Sequence, residues 1–258
     1  MSRLQSIFAA ARPRCALVPY FTVGDPSLPA GLDIALALAA AGADILELGV
    51  PFSDPVADGP ILQAASQRAL AQGTRLADVL EIASAVRGQT EAGLLLFSYF
   101  NPVLRYGLQA FARDAAAAGC DGALITDLVP EEADEYRSVM HSAGLDTVFL
   151  AAPTSPPERL AAIAAASTGF IYAVSRLGVT GAGGHDGARA LVAALRPHTS
   201  LPIAVGFGLA RPEQVAEVAG YAEGAVVGSA LVQAIAAAPG GEAAAAASFL
   251  QGLRHGNR

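Results

Sequence analysis

Short, nearly continuous aliphatic runs alternate along this chain with longer segments in which apolar residues recur every three or four positions. The first pattern is typical of strands buried on both faces of a parallel sheet, and the second of amphipathic helices. The predicted strands are Ala16–Phe21, Ile45–Val50, Leu94–Tyr99, Gly122–Thr126, Thr147–Leu150, Phe170–Val174, Ile203–Gly206 and Ala225–Val227. The predicted helices between them are Leu32–Ala41, Leu76–Val86, Leu108–Ala118, Glu131–Ala143, Pro157–Ala166, Ala190–Leu195 and Pro212–Val218.

Further helices are predicted outside this alternation. They are an N-terminal helix with Leu4, Ile7 and Phe8 on one face, Ile61–Gln72 after the second strand, Ser229–Ala237 directly after the eighth, and the C-terminal Gly241–Leu253. A strand–loop–helix unit repeated about eight times predicts an α/β fold, the (β/α)8 TIM barrel. The barrel has extra helices at the N-terminus, after strand 2 and after strand 8, and residues 1–258 are expected to form one domain.

A doubly wound open sheet is the alternative with the same alternation of elements. Its dinucleotide-binding version needs a Gly-x-Gly-x-x-Gly turn after the first strand. No such turn follows Phe21, so this version is disfavoured.

An Ala-Gly pair ends several predicted helices, and an acidic residue follows it just before the next strand. Glycine readily adopts the left-handed conformation that terminates a helix. The acidic residues in these positions are Asp44, Asp121, Asp146 and Glu223.

The composition limits the classes of protein that fit. The 258 residues are 53% hydrophobic and carry a net charge of −7 with no basic stripe, so nucleic acid is not an expected partner. The apolar segments are interrupted too often to cross a membrane, and Met1–Ala11 lacks the pattern of a secretory signal. Cys15 and Cys120 do not form a disulfide framework and are predicted to be buried. We expect a cytoplasmic protein.

All 16 basic residues are arginine, and the chain has no lysine. Schiff-base chemistry needs a lysine amine, so a Schiff-base aldolase and an enzyme holding pyridoxal phosphate (PLP) as an internal aldimine are both excluded. No metal is expected, because the histidines have no metal-ligand spacing. They are His141, His185, His198 and His255.

A single carboxylate, Glu47, lies in the second predicted strand among aliphatic residues, and the loop after this strand carries Asp54 and Asp58. A buried, unpaired carboxylate has a raised pKa, which suits a general acid or base. A surface strand with a solvated glutamate is the alternative. In a TIM barrel the working face lies at the carboxyl ends of the strands, which is where Glu47 and Asp58 are predicted.

Glycines cluster after the last three strands, where barrels often bind phosphate through backbone N–H groups and the N-terminus of an added helix. The candidate phosphate-binding residues are Gly181, Phe207, Gly208, Gly228 and Ser229. Ordinary barrel-closing turns are the alternative. The glycine-rich segment from Leu177 to Gly187 is predicted to be a lid over the substrate.

Several motifs of this chain resemble those of the tryptophan synthase alpha subunit family. The longest runs from Glu47 to Pro60, Glu-Leu-Gly-Val-Pro-Phe-Ser-Asp-Pro-Val-Ala-Asp-Gly-Pro. The others, in order, are Pro19–Pro26, Ser98–Pro102, Thr126–Glu132, Ser175–Ala182, Val205–Gly208 and Val227–Ala230. The resemblance thus covers almost the whole chain.

The resemblance implies a retro-aldol cleavage of indole-3-glycerol phosphate to indole and glyceraldehyde 3-phosphate, without a cofactor. It implies Glu47 as the general acid and base, and Asp58 as a carboxylate kept ionised by its polar loop to stabilise charge on the indole. The candidate substrate-binding residues are Tyr20, Phe21, Tyr99, Tyr172 and Thr180, with Tyr172 orienting Glu47 and with Leu96 and Leu124 as further walls.

The resemblance also implies a PLP-dependent beta subunit as partner, in an alpha2beta2 complex. The expected contact surface is the pair of loops Pro51–Asp58 and Asn101–Gly107, through Pro55, Val56, Pro102, Val103 and Leu104. Two alternatives remain open at this point: a free-standing indole-3-glycerol phosphate lyase, and a non-catalytic barrel that activates a beta-type partner.

Overall fold

Eight parallel strands pair in chain order, and the first pairs with the last, in a computed structural model that describes residues 1–174, 186–206 and 208–254. The strands are β1 Ala16–Thr22, β2 Ile45–Gly49, β3 Gly93–Ser98, β4 Gly122–Ile125, β5 Asp146–Ala151, β6 Ile171–Val174, β7 Ile203–Gly206 and β8 Gly224–Val227. The predicted (β/α)8 barrel is confirmed, and each strand lies within two residues of its predicted ends. The open-sheet alternative is wrong, because β1 pairs with β8 along four residues.

The helices of the described residues surround this barrel. They are α1 Arg3–Ala11, α2 Leu28–Ala40, α3 Pro60–Ala71, α4 Leu76–Arg87, α5 Phe100–Tyr106, α6 Leu108–Ala117, α7 Asp134–Ser142, α8 Pro157–Ala166, α9 Asp186–Leu195, α10 Pro212–Ala219, α11 Ser229–Ala236 and α12 Glu242–Arg254. Helices α1, α3, α11 and α12 are the extra helices that the sequence predicted. Two short 3-10 turns, Pro130–Glu132 and Arg196–His198, complete the set.

Four helix predictions need correction, and the simplest is α9, which begins at Asp186 and not at Ala190. The segment Asn101–Gly107 was expected to be a loop, but it forms helix α5, whose first amide N–H, on Phe100, donates to the Asp127 carboxylate at 2.7 Å. The single helix predicted over Glu131–Ala143 is divided into the 3-10 turn and α7. Helix α2 begins four residues earlier than predicted, because the Ser27 hydroxyl accepts a hydrogen bond from the N–H of Ala30 and caps it.

Side chains of each strand alternate between the inside of the barrel and the layer of helices. Leu17 and Phe21 of β1 pack in the outer core with α2, whereas Ala16 and Val18 belong to a separate inner core. Helix α1 closes the lower, N-terminal end of the barrel, where Phe8 packs against Phe170 with ring centroids 5.2 Å apart. The upper end is therefore where polar side chains can reach both the barrel interior and the outside.

Carboxylates at the lower end tie neighbouring strands together. Asp44 accepts two hydrogen bonds of 2.6 Å from the Arg14 guanidinium and one of 2.8 Å from the backbone N–H of Leu17. Asp121 and Glu223 repeat this arrangement. Asp121 accepts from Arg87 and the N–H of Leu94, and Glu223 accepts from Arg196 and the N–H of Ile203. Asp146 accepts from the Thr168 hydroxyl at 2.8 Å.

No helix in the described part of the chain is long and apolar enough to cross a membrane. The prediction of a single domain over residues 1–258 extends beyond the described residues and stays a prediction.

Candidate active site

Glu47 is the most unusual ionisable group of the described structure. It lies in β2, faces the barrel interior at the level of Tyr20, and is fully buried. Neither carboxylate oxygen has a hydrogen-bond partner among the described residues. Burial disfavours the charged form and raises the pKa of Glu47 to about 8, so the group is largely protonated at neutral pH. The alternative of a solvated surface glutamate is therefore wrong.

Asp58 lies two residues before helix α3, in the loop that follows β2, and it is half-buried. Burial raises its pKa to about 6, and the nearby Tyr99 hydroxyl offsets part of this increase. The sequence suggested a polar loop that keeps Asp58 ionised. The loop instead raises the pKa, although Asp58 still loses its proton well below the pKa of Glu47.

The loop around Asp58 is held in place by two side chains from its surroundings. The Tyr99 hydroxyl accepts a hydrogen bond of 3.0 Å from the N–H of Ala57, and the Gln63 amide donates one of 2.8 Å to the carbonyl of Asp58. The ring of Phe52 lies beside Tyr99, with centroids 5.1 Å apart. Asp54 is exposed and accepts a hydrogen bond from the Ser53 hydroxyl at 2.6 Å. Tyr99 thus borders the site, and Asp54 shapes the loop.

Two buried phenols cross the upper end of the barrel over strand glycines. The Tyr20 hydroxyl lies over Gly49 and shares a hydrogen bond of 3.2 Å with Thr22, and the Tyr172 hydroxyl lies over Gly206. A Cβ atom at either glycine would collide with the phenol. The charges of Glu47 and Asp58 help to raise the pKa values of both phenols, after the larger effect of burial.

These positions refine the predicted substrate-binding residues. Tyr20 and Tyr172 face the interior near Glu47, but Tyr172 makes no hydrogen bond to Glu47 among the described contacts. Phe21 was predicted to line the site, but strand alternation turns it outward into the core formed with the helices. Leu96 is turned outward in the same way. Leu124 does belong to the inner core.

The residues that frame Tyr20 were not predicted from the sequence. Phe97 packs edge-on against its ring at 5.0 Å between centroids, and Leu62 and Ala65 of helix α3 pack against it from above. The available signal was Gly49, which lies two positions after Glu47 on the same face of β2 and leaves space for a ring from the adjacent strand.

The predicted phosphate-binding residues lie only partly in the described structure. Gly208 has a φ of +79° and open space where a Cβ would point, and Gly228 and Ser229 begin helix α11 without a side-chain cap. The ends of β7 and β8 are adjacent, because Gly206 pairs with Val226. Thr180, Gly181, Phe207 and the predicted lid from Leu177 as far as residue 185 lie outside the described residues.

The described residues contain no group of three histidine, cysteine or acidic side chains that could hold a metal ion. His141 lies in α7 and His198 in the 3-10 turn after α9, whereas His185 and His255 lie outside the described residues.

The fold and these residues define a (β/α)8-barrel enzyme whose upper end holds a buried, protonated carboxyl group and a loop carboxylate, both near Tyr20 and Tyr172. The chain matches the family described as tryptophan synthase alpha chain over residues 8–255. It therefore belongs to that family, and the resemblance noted in the sequence is confirmed.

Individual relatives agree with this assignment. The chain is 52% identical to the tryptophan synthase alpha chain of Solibacter usitatus over 239 residues, which are 91% of this chain and 90% of the relative. It is 48% identical to that of a Roseiflexus species over 260 residues, covering 98% and 100% of the two chains.

Solved structures give the same result. A chain of Mycobacterium tuberculosis tryptophan synthase superposes with a TM-score of 0.93 at 41% identity, covering 100% of this chain and 98% of the other. Tryptophan synthase subunit alpha of Legionella pneumophila superposes with a TM-score of 0.91 at 36% identity, covering 99% and 98%.

Proposed function

We propose that this chain cleaves indole-3-glycerol phosphate into indole and glyceraldehyde 3-phosphate, the alpha reaction of tryptophan biosynthesis. Its family makes it a lyase of this pathway. The main structural support for this reaction is the environment of Glu47. Its carboxyl group is fully buried, has no hydrogen-bond partner among the described residues and has a pKa raised to about 8.

Glu47 supports both proton transfers of the cleavage. Because its carboxyl group is mainly protonated at neutral pH, it can deliver a proton to C3 of the indole ring. The resulting Glu47 carboxylate then takes the proton of the side-chain hydroxyl. As that hydroxyl becomes the aldehyde, the bond between C3 and the side chain breaks and its electron pair restores the aromatic indole. One group serves as acid and then as base, so no net proton is consumed.

Asp58 supports the step at which charge develops. Protonation of C3 leaves positive charge on the ring, which is shared with the indole nitrogen. A carboxylate that accepts a hydrogen bond from the indole N–H stabilises this charge more strongly than it stabilises the neutral substrate. Asp58 is mainly ionised at neutral pH, because its pKa of about 6 lies below that pH.

The phosphate of the substrate is assigned to the ends of β7 and β8. Gly208 leaves open space at the rim, and the first N–H groups of α11, at Ser229, have no side-chain cap. Uncapped N–H groups at a helix N-terminus attract anions. Thr180, Gly181 and Phe207 are proposed to complete this site. No cofactor takes part in the proposed reaction.

A PLP-dependent beta subunit is the proposed partner, in an alpha2beta2 complex located in the cytoplasm. Two large apolar side chains near the site are exposed, Val56 at 84% and Leu104 at 55%, which suits burial in an interface. Val103, which was expected in the same surface, is the fully buried residue of α5 and is not available for the interface. A lyase that works without a partner is not favoured, because the relatives are tryptophan synthase alpha chains.

The experiment is an indole-release assay with the purified chain and indole-3-glycerol phosphate, with and without a tryptophan synthase beta subunit. We expect indole formation that increases when the beta subunit is added, and a complex in sedimentation. Leu104→Glu should reduce the stimulation while leaving the basal rate of the isolated chain unchanged. High activity with no complex would favour the free-standing lyase, and no indole in either condition would favour the non-catalytic barrel.

A further inference from the structure

Helix α3 begins two residues after Asp58, so the position of the helix limits where this carboxylate can lie. Only Gly59 separates Asp58 from Pro60, the first residue of α3, and Gln63 of the first turn holds the Asp58 carbonyl. Gly59 provides no side-chain cap. The first N–H groups of α3 therefore have no side-chain cap, and the helix depends on its packing and on its distal contacts for its position.

The distal half of α3 is tied to β1 by an ion pair. The guanidinium of Arg68 donates two hydrogen bonds of 2.7 Å to the two oxygens of Asp25, which follows β1. Asp25 is 6% exposed, so the loss of Arg68 would leave a buried carboxylate without its cation. A bidentate pair of this kind fixes orientation as well as distance, because both planar groups must align.

The face of α3 between Asp58 and Arg68 rests on the site itself. Leu62 and Ala65 pack on Tyr20, whose register partner in β2 is Glu47, and Val232 of α11 joins the same cluster. Helix α3 thus connects the strand next to Glu47, the loop of Asp58 and the helix proposed to bind phosphate.

We infer that the Asp25–Arg68 ion pair is a positioning device that sets α3, and through it the Asp58 carboxylate, at the right distance from the indole nitrogen. The inference rests on the proposed function. Neither residue touches the substrate in this account. Their effect is geometric, and displacements of about 1 Å in such supports can reduce rates by about 100-fold.

The test compares Arg68→Gln with Arg87→Gln, which breaks an ion pair with Asp121 and three hydrogen bonds to backbone carbonyls at the lower end of the barrel. We expect Arg68→Gln to lower kcat by about 10- to 100-fold. KM should change less, because Asp58 acts on charge that develops after binding. Arg87→Gln should lose at least as much thermal stability but keep kcat within about twofold, since a structural loss remote from the site leaves the transition state unchanged.

Two further readouts separate positioning from a merely structural role. The acid limb of the kcat profile should shift in Arg68→Gln, because moving Asp58 changes its burial and its contact with Tyr99. Arg68→Lys keeps the charge but cannot form the two parallel bonds, so it should restore only part of kcat. Asp25→Asn replaces Arg68→Gln in the comparison if Arg68→Gln does not fold. The double variant that combines both changes should have a kcat no lower than that of the slower single variant.

Equal kcat values for folded Arg68→Gln and Arg87→Gln, with unchanged acid limbs, would overturn the inference. The failure of the proposed function looks different, because wild-type protein would then release no indole at all.

Discussion

Acidic side chains at the two ends of the barrel differ in their hydrogen bonding. At the lower end, Asp44, Asp121 and Glu223 each accept hydrogen bonds from an arginine and from a backbone N–H near the start of a neighbouring strand. At the upper end, Glu47 is more deeply buried than any of these and has no hydrogen-bond partner among the described residues. The lower carboxylates join neighbouring strands through hydrogen bonds, whereas the upper one is held in a state that is costly for folding and suited to proton transfer.

The largest expected effect comes from removing the acid of Glu47. Glu47→Gln should lower kcat for indole release by about 10²- to 10⁴-fold, because a neutral amide can neither donate nor accept the proton. Indole release measured by stopped assay on the folded variant checks this. Wild-type-like turnover would remove Glu47 from its role.

The stability of Glu47→Gln is the control, because this variant should be no less stable than the wild type. Since the pKa of Glu47 is raised from 4.5 to about 8, the folded protein retains a proton that the unfolded chain releases between these values. The contribution of Glu47 to stability therefore falls as pH rises through this window. At pH 8, we expect the free energy of unfolding of Glu47→Gln to equal or exceed that of the wild type.

The second comparison lies within the loop after β2. Asp58→Asn should lower kcat by about 10²-fold, because a neutral amide offsets no ring charge. Asp54→Asn is the matched variant of an exposed acid in the same loop, and it should stay within a few-fold of wild type. A greater sensitivity of Asp54 than of Asp58 in steady-state assays would reverse the assignment.

A smaller effect is expected at the proposed phosphate site. Gly228 has a φ of −114°, and an added Cβ would lie 3.6 Å from the Tyr20 ring, so Gly228→Ala should fold normally. The larger Gly228→Val should raise KM by about tenfold or more, because its methyl groups occupy space that the anion needs. Gly252→Ala, where a Cβ meets nothing within 4 Å, is the control for a methyl group added elsewhere. An unchanged KM for Gly228→Val would place the phosphate elsewhere.

The smallest effect on activity is predicted at the lower end. Asp44→Asn should reduce the free energy of unfolding by about 1–3 kcal/mol, because it weakens charge-assisted bonds to Arg14 and to the backbone. Turnover should stay within about twofold of wild type, since Asp44 lies at the end of the barrel away from the site. Denaturant unfolding and the indole assay on the same preparation test both parts. A large loss of kcat with little loss of stability would contradict the division between the ends.

The sequence predicted the barrel well because its signals are local. Continuous apolar runs marked each strand, and the Ala-Gly pairs before Asp44 and Asp121 marked where helices end and strands begin. Helix α5 was missed because its Phe100 N–H is capped by Asp127 from the loop after the next strand, which no local pattern shows.

The site was predicted less completely, for a related reason. The position of Glu47 within an aliphatic strand indicated an unusual carboxylate, and its burial confirmed this. Phe21 was placed in the site although alternation turns it outward, because a one-residue difference in register moves a side chain to the other face. The Asp25–Arg68 pair joins residues 43 positions apart, and only the fold brings them together.

The pKa of Glu47 in the folded protein tests the contrast between the two ends most directly. A ¹³C NMR titration of carboxyl-labelled glutamate, with Glu47→Gln to assign the resonance, measures it in the isolated chain. We predict a midpoint near 8 for Glu47, far above the 4.5 of an ordinary glutamate. A midpoint near 4.5 would mean that the buried carboxyl group has an ionised ground state and a stabilising partner, and the proposed role of Glu47 as initial proton donor would be wrong.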